Sequence, residues 1–123
     1  MDHSPRFLQL VEDAKARVAE ISVDDVKKKR ARGEPFDLVD VREESEWAAG
    51  HVKGARYLGR GILERDVEKV IPDPDREIVL YCGGGFRSAL SAESLAKMGY
   101  RRVLSLAGGW KAWKDSGGEI ELK

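Results

Sequence analysis

A single thiol, Cys82, stands in the run Tyr81-Cys82-Gly83-Gly84-Gly85-Phe86-Arg87-Ser88-Ala89. Ahead of it, Ile78-Val79-Leu80-Tyr81 is a short apolar run that predicts a buried strand over 77–81. Behind it, residues 88–98 carry good helix formers with apolar positions at Ala89, Leu90, Ala92, Leu95 and Ala96. The thiol is therefore expected at the carboxyl end of a strand, where ligand sites of open parallel sheets lie. It also faces the amino end of a helix. Unpaired N–H groups and a partial positive charge at that end favour thiolate over thiol. The three glycines lack Cβ atoms and permit left-handed turns, so successive N–H groups can form an anion nest. No proline occurs among Gly83, Gly84, Gly85, Phe86, Arg87 and Ser88, and each can donate an N–H. Arg87 adds a fixed positive charge. The chemistry that fits is a nucleophilic sulfur beside a bound anion; a cysteine that only fills the core needs none of these neighbours.

The elements that must position this segment read as alternating strands and helices. Ser4-Pro5 is an N-cap with proline at the first helical position, and Phe7, Leu10, Val11, Ala14 and Val18 predict an amphipathic helix over 5–19. Ser22 caps a second helix over 23–31. The run Phe36-Asp37-Leu38-Val39-Asp40-Val41 predicts a buried strand, followed by a brief helix over 43–49 that Gly50 closes. A short strand over 55–58 and a helix over 62–70 follow, stopped by Pro72-Asp73-Pro74-Asp75. After the helix over 88–98, residues 102–107 predict a last strand. Gly108-Gly109 then leads into a short helix with Trp110 and Trp113. Such alternation implies an α/β fold, a parallel sheet with helices on both faces.

Composition excludes other classes. The 123 residues suffice for one domain. The 22 Lys+Arg and 22 Asp+Glu cancel, which argues against nucleic acid as a partner. Hydrophobic residues reach 41%, enough for a core. No apolar run approaches the ~20 residues that span a bilayer, and no signal peptide is visible, so no membrane partner and a cytoplasmic location are expected. One cysteine allows neither an internal disulfide nor a four-thiolate zinc site, and no metal is expected.

Four segments taken in order resemble the single-domain rhodaneses, a family of sulfurtransferases. They are Leu38-Val39-Asp40-Val41-Arg42 with Glu46-Trp47, then Gly50-His51-Val52-Lys53-Gly54-Ala55, the loop over 82–87, and Leu106-Ala107-Gly108-Gly109-Trp110 with Trp113. The resemblance covers residues 21–117. It implies a rhodanese-like central parallel sheet of about five strands with helices on both faces. Residues 1–20 are then an N-terminal helical extension packed on a rhodanese domain over 21–123.

The resemblance also implies a chemistry. Cys82 would take a sulfane sulfur from a small donor such as thiosulfate, form a covalent persulfide, and pass the sulfur to cyanide or a thiol. A sulfur-accepting protein is a further candidate acceptor, and no cofactor is needed. The N–H groups from Gly83 to Ser88 would hold the persulfide anion, and Arg87 would neutralise charge. Asp40 and Arg42 would brace the loop or contact substrate. Phe86 would wall the mouth or meet an acceptor protein. His51 is expected to be a hydrogen-bonding turn residue, and Trp47, Trp110 and Trp113 to be core. Related phosphatases and arsenate reductases place five residues between cysteine and arginine; here Cys82 and Arg87 are separated by four, a smaller ring that favours sulfur over phosphate. Members that prefer thiosulfate often carry a basic residue directly after the cysteine, where this chain has Gly83. The alternatives are a non-enzymatic interaction or regulatory module that keeps the fold, and a cysteine-dependent phosphatase or arsenate reductase.

Overall fold

The computed structural model describes residues 3–122. The helices are α1 (Pro5–Lys15), α2 (Val23–Ala31), α3 (Glu44–Ala49), α4 (Arg60–Val70), α5 (Phe86–Lys97) and α6 (Gly109–Asp115). The strands are β1 (Ala19–Ile21), β2 (Asp37–Asp40), β3 (His51–Val52), β4 (Arg56–Tyr57), β5 (Ile78–Tyr81), β6 (Val103–Leu106) and β7 (Ile120–Glu121). Five of these strands form one sheet in the order β1-β6-β5-β2-β4. Every neighbouring pair in it is parallel.

The two-residue period of a strand distributes the core. Val39, Ile78 and Leu80 point to one face, where they meet Leu63 and Val67 of α4 and Ala92 and Leu95 of α5. Leu38, Val79, Tyr81 and Leu106 point to the other face and meet Val23 and Val26 of α2 and Trp113 of α6. The central strand β5 is buried along its whole length, as its unbroken apolar run requires. Its last residue, Tyr81, lies opposite Asp40 of β2, so Cys82 and Arg42 leave the sheet at the same carboxyl edge.

Several boundaries differ from the sequence reading. The first helix ends at Lys15, and Ala19–Ile21 forms an edge strand on β6 instead of continuing it. Only Ile21 of that strand is buried, so the segment carries too little apolar alternation to announce itself. His51–Val52 and Ile120–Glu121 pair antiparallel as a small second sheet, and His51 is therefore a strand residue. Two-residue strands joined across most of the chain leave no periodic signal. Among the tryptophans, Trp113 is core, while Trp47 and Trp110 are only half-buried. Trp47 stacks on the His51 ring at 3.4 Å, and Trp110 lies beneath the Arg42 guanidinium at 4.6 Å.

The N-terminal helix packs on the outer side of α5, where Val11 and Ala14 meet Ala89 and Leu90, with Phe7, Val18 and Phe86 at the border. Arg17 reaches Glu93 of α5 in an ion pair beside it. Among the described residues, no helix is long and apolar enough to cross a membrane. Val11 is 2% exposed. Val11→Ala removes two buried methyl groups at about 0.8 kcal/mol each and leaves a small cavity, so unfolding in urea should show a loss of about 2 kcal/mol.

Candidate active site

The site begins with the end of β5. Cys82 follows Tyr81 directly and is 1% exposed. Two backbone donors converge on its sulfur. The Gly85 N–H donates to Cys82 Sγ at 3.2 Å, and the Ser88 N–H donates to it at 3.3 Å. Ser88 also brings its side chain, whose Oγ lies 3.6 Å from Sγ. The second donor exists because α5 starts at Phe86, two residues earlier than its apolar pattern predicts. Phe86, Arg87 and Ser88 thus form a first helical turn, whose N–H groups have no partner within the helix.

Only one of the three glycines needs its conformational freedom. Gly85 caps α5 in the left-handed region at φ +97°, and a Cβ there would lie 3.3 Å from the Gly108 nitrogen. Gly83 and Gly84 do not have positive φ. A Cβ on Gly84 would meet open space, and one on Gly83 would lie 3.2 Å from an Arg87 nitrogen.

The carbonyl side of the loop is held from α6. The Trp110 N–H donates to the Cys82 carbonyl at 2.7 Å, and the Lys111 N–H donates to the Gly83 carbonyl at 3.1 Å. This approach depends on Gly109, with φ +55°, where a Cβ would fall 2.4 Å from the Cys82 oxygen.

Charge at the site is arranged in two pairs. Arg87 makes two bonds to Glu46, at 2.9 and 3.2 Å. The Glu46 hydrogen bond, outweighing partial burial, holds the Arg87 pKa above the ordinary arginine value. Reciprocally, the Arg87 hydrogen bond holds the Glu46 carboxyl below the usual carboxylate range. Glu46 also accepts the Glu43 N–H at 2.9 Å in a capping box at the start of α3. In the sequence Glu46 stands among the family marks with no chemical role of its own evident. Its signal is the capping-box spacing to Glu43, which fixes where its carboxylate points.

Asp40 and Arg42 form the second pair, and both are buried. Arg42 Nη2 donates to Asp40 Oδ2 at 2.7 Å and to the Gly50 carbonyl at 2.6 Å. Burial works to lower the Arg42 pKa, but the Asp40 hydrogen bond and charge outweigh it and the net shift is upward. Their side-chain hydrogen-bond partners lie outside the cysteine loop. They reach it at one remove, because Arg42 covers the ring of Trp110, whose N–H holds the Cys82 carbonyl. Phe86 is half-buried and packs toward α1. Its ring meets His3 edge-on at 4.7 Å and Phe7 at 6.3 Å, with Lys15 Nζ 5.1 Å from its centre. An apolar ring at the start of α5 finds partners at the border of α1.

A buried strand end, a sulfur receiving two N–H groups and an arginine closing the loop suit a covalent carrier of an electron-rich group. A family model described as "Rhodanese-like domain" matches residues 22–116. The chain belongs to the rhodanese-like domain family, and the single-domain sulfurtransferases of that family are its relatives. It is 34% identical over 100 residues to a protein of Allochromatium vinosum named "Sulfurtransferase", covering 81% of this chain and 92% of that one. An uncharacterised Bacillus subtilis protein, YqhL, is 35% identical over 94 residues, covering 76% of this chain and 71% of that protein. Among solved structures, a Rhodopseudomonas palustris protein of unknown function, described as a possible tyrosine phosphatase, superposes with a TM-score of 0.86 at 28% identity. It covers 98% of this chain and 99% of its own, so the likeness reaches beyond residues 22–116.

Two outcomes test this geometry. Gly109→Ala forces a Cβ into the backbone of the cysteine loop, so it should destabilise the protein by about 1–3 kcal/mol and move the amide resonances of the loop. Gly84→Ala, into open space, should change stability by less than about 0.5 kcal/mol. The Glu46–Arg87 pair has a definite pH sign. With the Glu46 pKa lowered in the folded state, its stabilisation is present above the unfolded value of about 4.3 and is lost as pH falls through the lower folded value. Both side chains are about a third exposed, so the pair contributes under about 1 kcal/mol. Urea unfolding of Glu46→Gln should therefore differ from wild type by that amount at neutral pH and converge with it as the medium becomes strongly acidic.

Proposed function

We propose that the protein transfers sulfane sulfur through a persulfide on Cys82. The observation that carries this reading is the pair of N–H donors from Gly85 and Ser88 on Cys82 Sγ, in a loop with four residues between cysteine and Arg87. The Cys82 thiolate attacks the outer sulfur of the donor and forms an S–S bond. The donor's own S–S bond breaks, and its electron pair leaves with sulfite when thiosulfate is the donor. An acceptor nucleophile, cyanide or a thiolate, then attacks the terminal sulfur and returns Cys82 to thiolate. No organic cofactor or metal enters this scheme, because the sulfur rides on the protein's own side chain.

Arg87 is the one basic side chain of the loop, and Glu46 already matches its charge. A dianion such as thiosulfate therefore finds little uncompensated positive charge, and an organic persulfide or a persulfidated protein is the better-matched donor. With one cysteine in the chain there is no resolving thiol, so the sulfur goes to an external small thiol or a sulfur-accepting protein. A reducing cytoplasm, where thiols stay free, suits such a carrier.

Intact-mass measurement tests the reading. Wild type and Cys82→Ser are incubated separately with thiosulfate and with a small organic persulfide. The wild type should gain one sulfur atom, faster from the persulfide, and lose it to cyanide; Cys82→Ser should gain none. A wild type that gains sulfur from neither donor defeats the proposal. Hydrolysis of an aryl phosphate that depends on Cys82 would replace it with the phosphatase reading.

A further inference from the structure

Strand β6 alternates as the other central strands do, with Leu106 on the α2 and α6 face and Val103 on the α4 and α5 face. Ser105 shares the face of Val103, and a polar residue there breaks the pattern. It is 0% exposed and sits opposite Leu80 of β5. A hydroxyl buried in an apolar layer costs stability unless it is hydrogen-bonded. Its partner is the Ser88 hydroxyl, 2.8 Å away and also 0% exposed. Ser88 Oγ in turn lies 3.6 Å from Cys82 Sγ. Three buried groups thus form one line, from sulfur to hydroxyl to hydroxyl.

Hydroxyls rotate, and each can donate or accept. In the thiol form, Cys82 S–H donates to Ser88, which passes its own hydrogen toward Ser105. When the thiol ionises, its proton leaves to solvent and the electron pair stays on sulfur. The line can then reverse: Ser105 donates to Ser88, and Ser88 donates to the sulfur. We propose that Ser105 is a positioning residue for the nucleophile, acting only through Ser88 to supply a third hydrogen bond to the Cys82 anion. Its catalytic meaning rests on the sulfur-transfer reading; the hydrogen-bonded line does not.

The charged groups on the elements around the sulfur are Arg87 with Glu46, the Asp40–Arg42 pair at the neighbouring strand end, and Lys111 in the first turn of α6, whose exposed ammonium pairs with Asp115. Substituting a serine leaves all of them in place. Ser91 supplies a matched control. It lies on α5 one turn beyond Ser88, is 0% exposed, and its hydroxyl has no hydrogen-bond partner among the described residues.

The test is the pH dependence of Cys82 alkylation by iodoacetamide in wild type, Ser105→Ala, Ser88→Ala, the double variant and Ser91→Ala. The midpoint should rise by about one pH unit in Ser88→Ala and about half a unit in Ser105→Ala. The double variant should move no further than Ser88→Ala, because the outer hydroxyl has nothing left to act through. Ser91→Ala should follow wild type. A Ser105→Ala curve superposed on wild type overturns the proposal. So does a double variant that sums the two shifts, or a Ser91→Ala curve displaced as far as that of Ser105→Ala. Alkylation uses no sulfur donor, which separates the two failures. A wild type that takes up no sulfur defeats the activity alone, and normal uptake with superposed curves defeats the serine line alone.

Discussion

The hydrogen bond from the Ser88 N–H to Cys82 Sγ is the interaction on which the site depends. It requires the sulfur to stand at the end of β5 and α5 to begin within a few residues of it. Both follow from packing. Strand β5 is fixed between β2 and β6 with side chains buried on both faces, and α5 is fixed by Ala92 and Leu95 on that sheet. The left-handed Gly85 makes the sharp transition between them. The loop is thus what remains when a strand and a helix have each found their places.

The surrounding charges maintain this arrangement more than they advertise a binding surface. Glu46 holds Arg87 across the loop, while Asp40 and Arg42 neutralise each other out of water. Removing one partner of such a buried pair costs about 3–5 kcal/mol, because the other charge is left uncompensated. Arg42 covers Trp110, Trp110 holds the Cys82 carbonyl, and the Gly50 carbonyl accepts a further Arg42 N–H. Residues that the sequence marks as a motif therefore meet the nucleophile through intermediaries.

Much of this was legible in the chain. The apolar runs at β2 and β5, the glycines after Cys82 and the helical spacing of α5 carry strong local patterns, and they position the thiol correctly. What was hidden depends on partners distant in sequence. Strands β1, β3 and β7 are two or three residues long and are strands only because β6 or one another lies alongside. Glu46 is one of three glutamates within four residues; its spacing to Glu43 marks it as the capping residue, but Arg87, the partner that gives it a role, lies 41 residues away. Ser105 interrupts an apolar strand by one residue, and its meaning appears only when Ser88 arrives from the neighbouring helix. The packing of Phe86 against α1 was hidden too, because α1 lies outside the residues of the family match.

The close approach of Gly109 to the Cys82 carbonyl has a consequence for how the protein comes apart. The loop is gripped on its carbonyl side by α6 and on its sulfur side by α5, and those helices pack on opposite faces of the sheet. A segment tied to both layers opens less readily on its own than a surface lid that can detach while its scaffold stays folded. The donors around Cys82 therefore keep their places for as long as the two layers stay together, which ties the geometry of the site to the cooperativity of the whole domain.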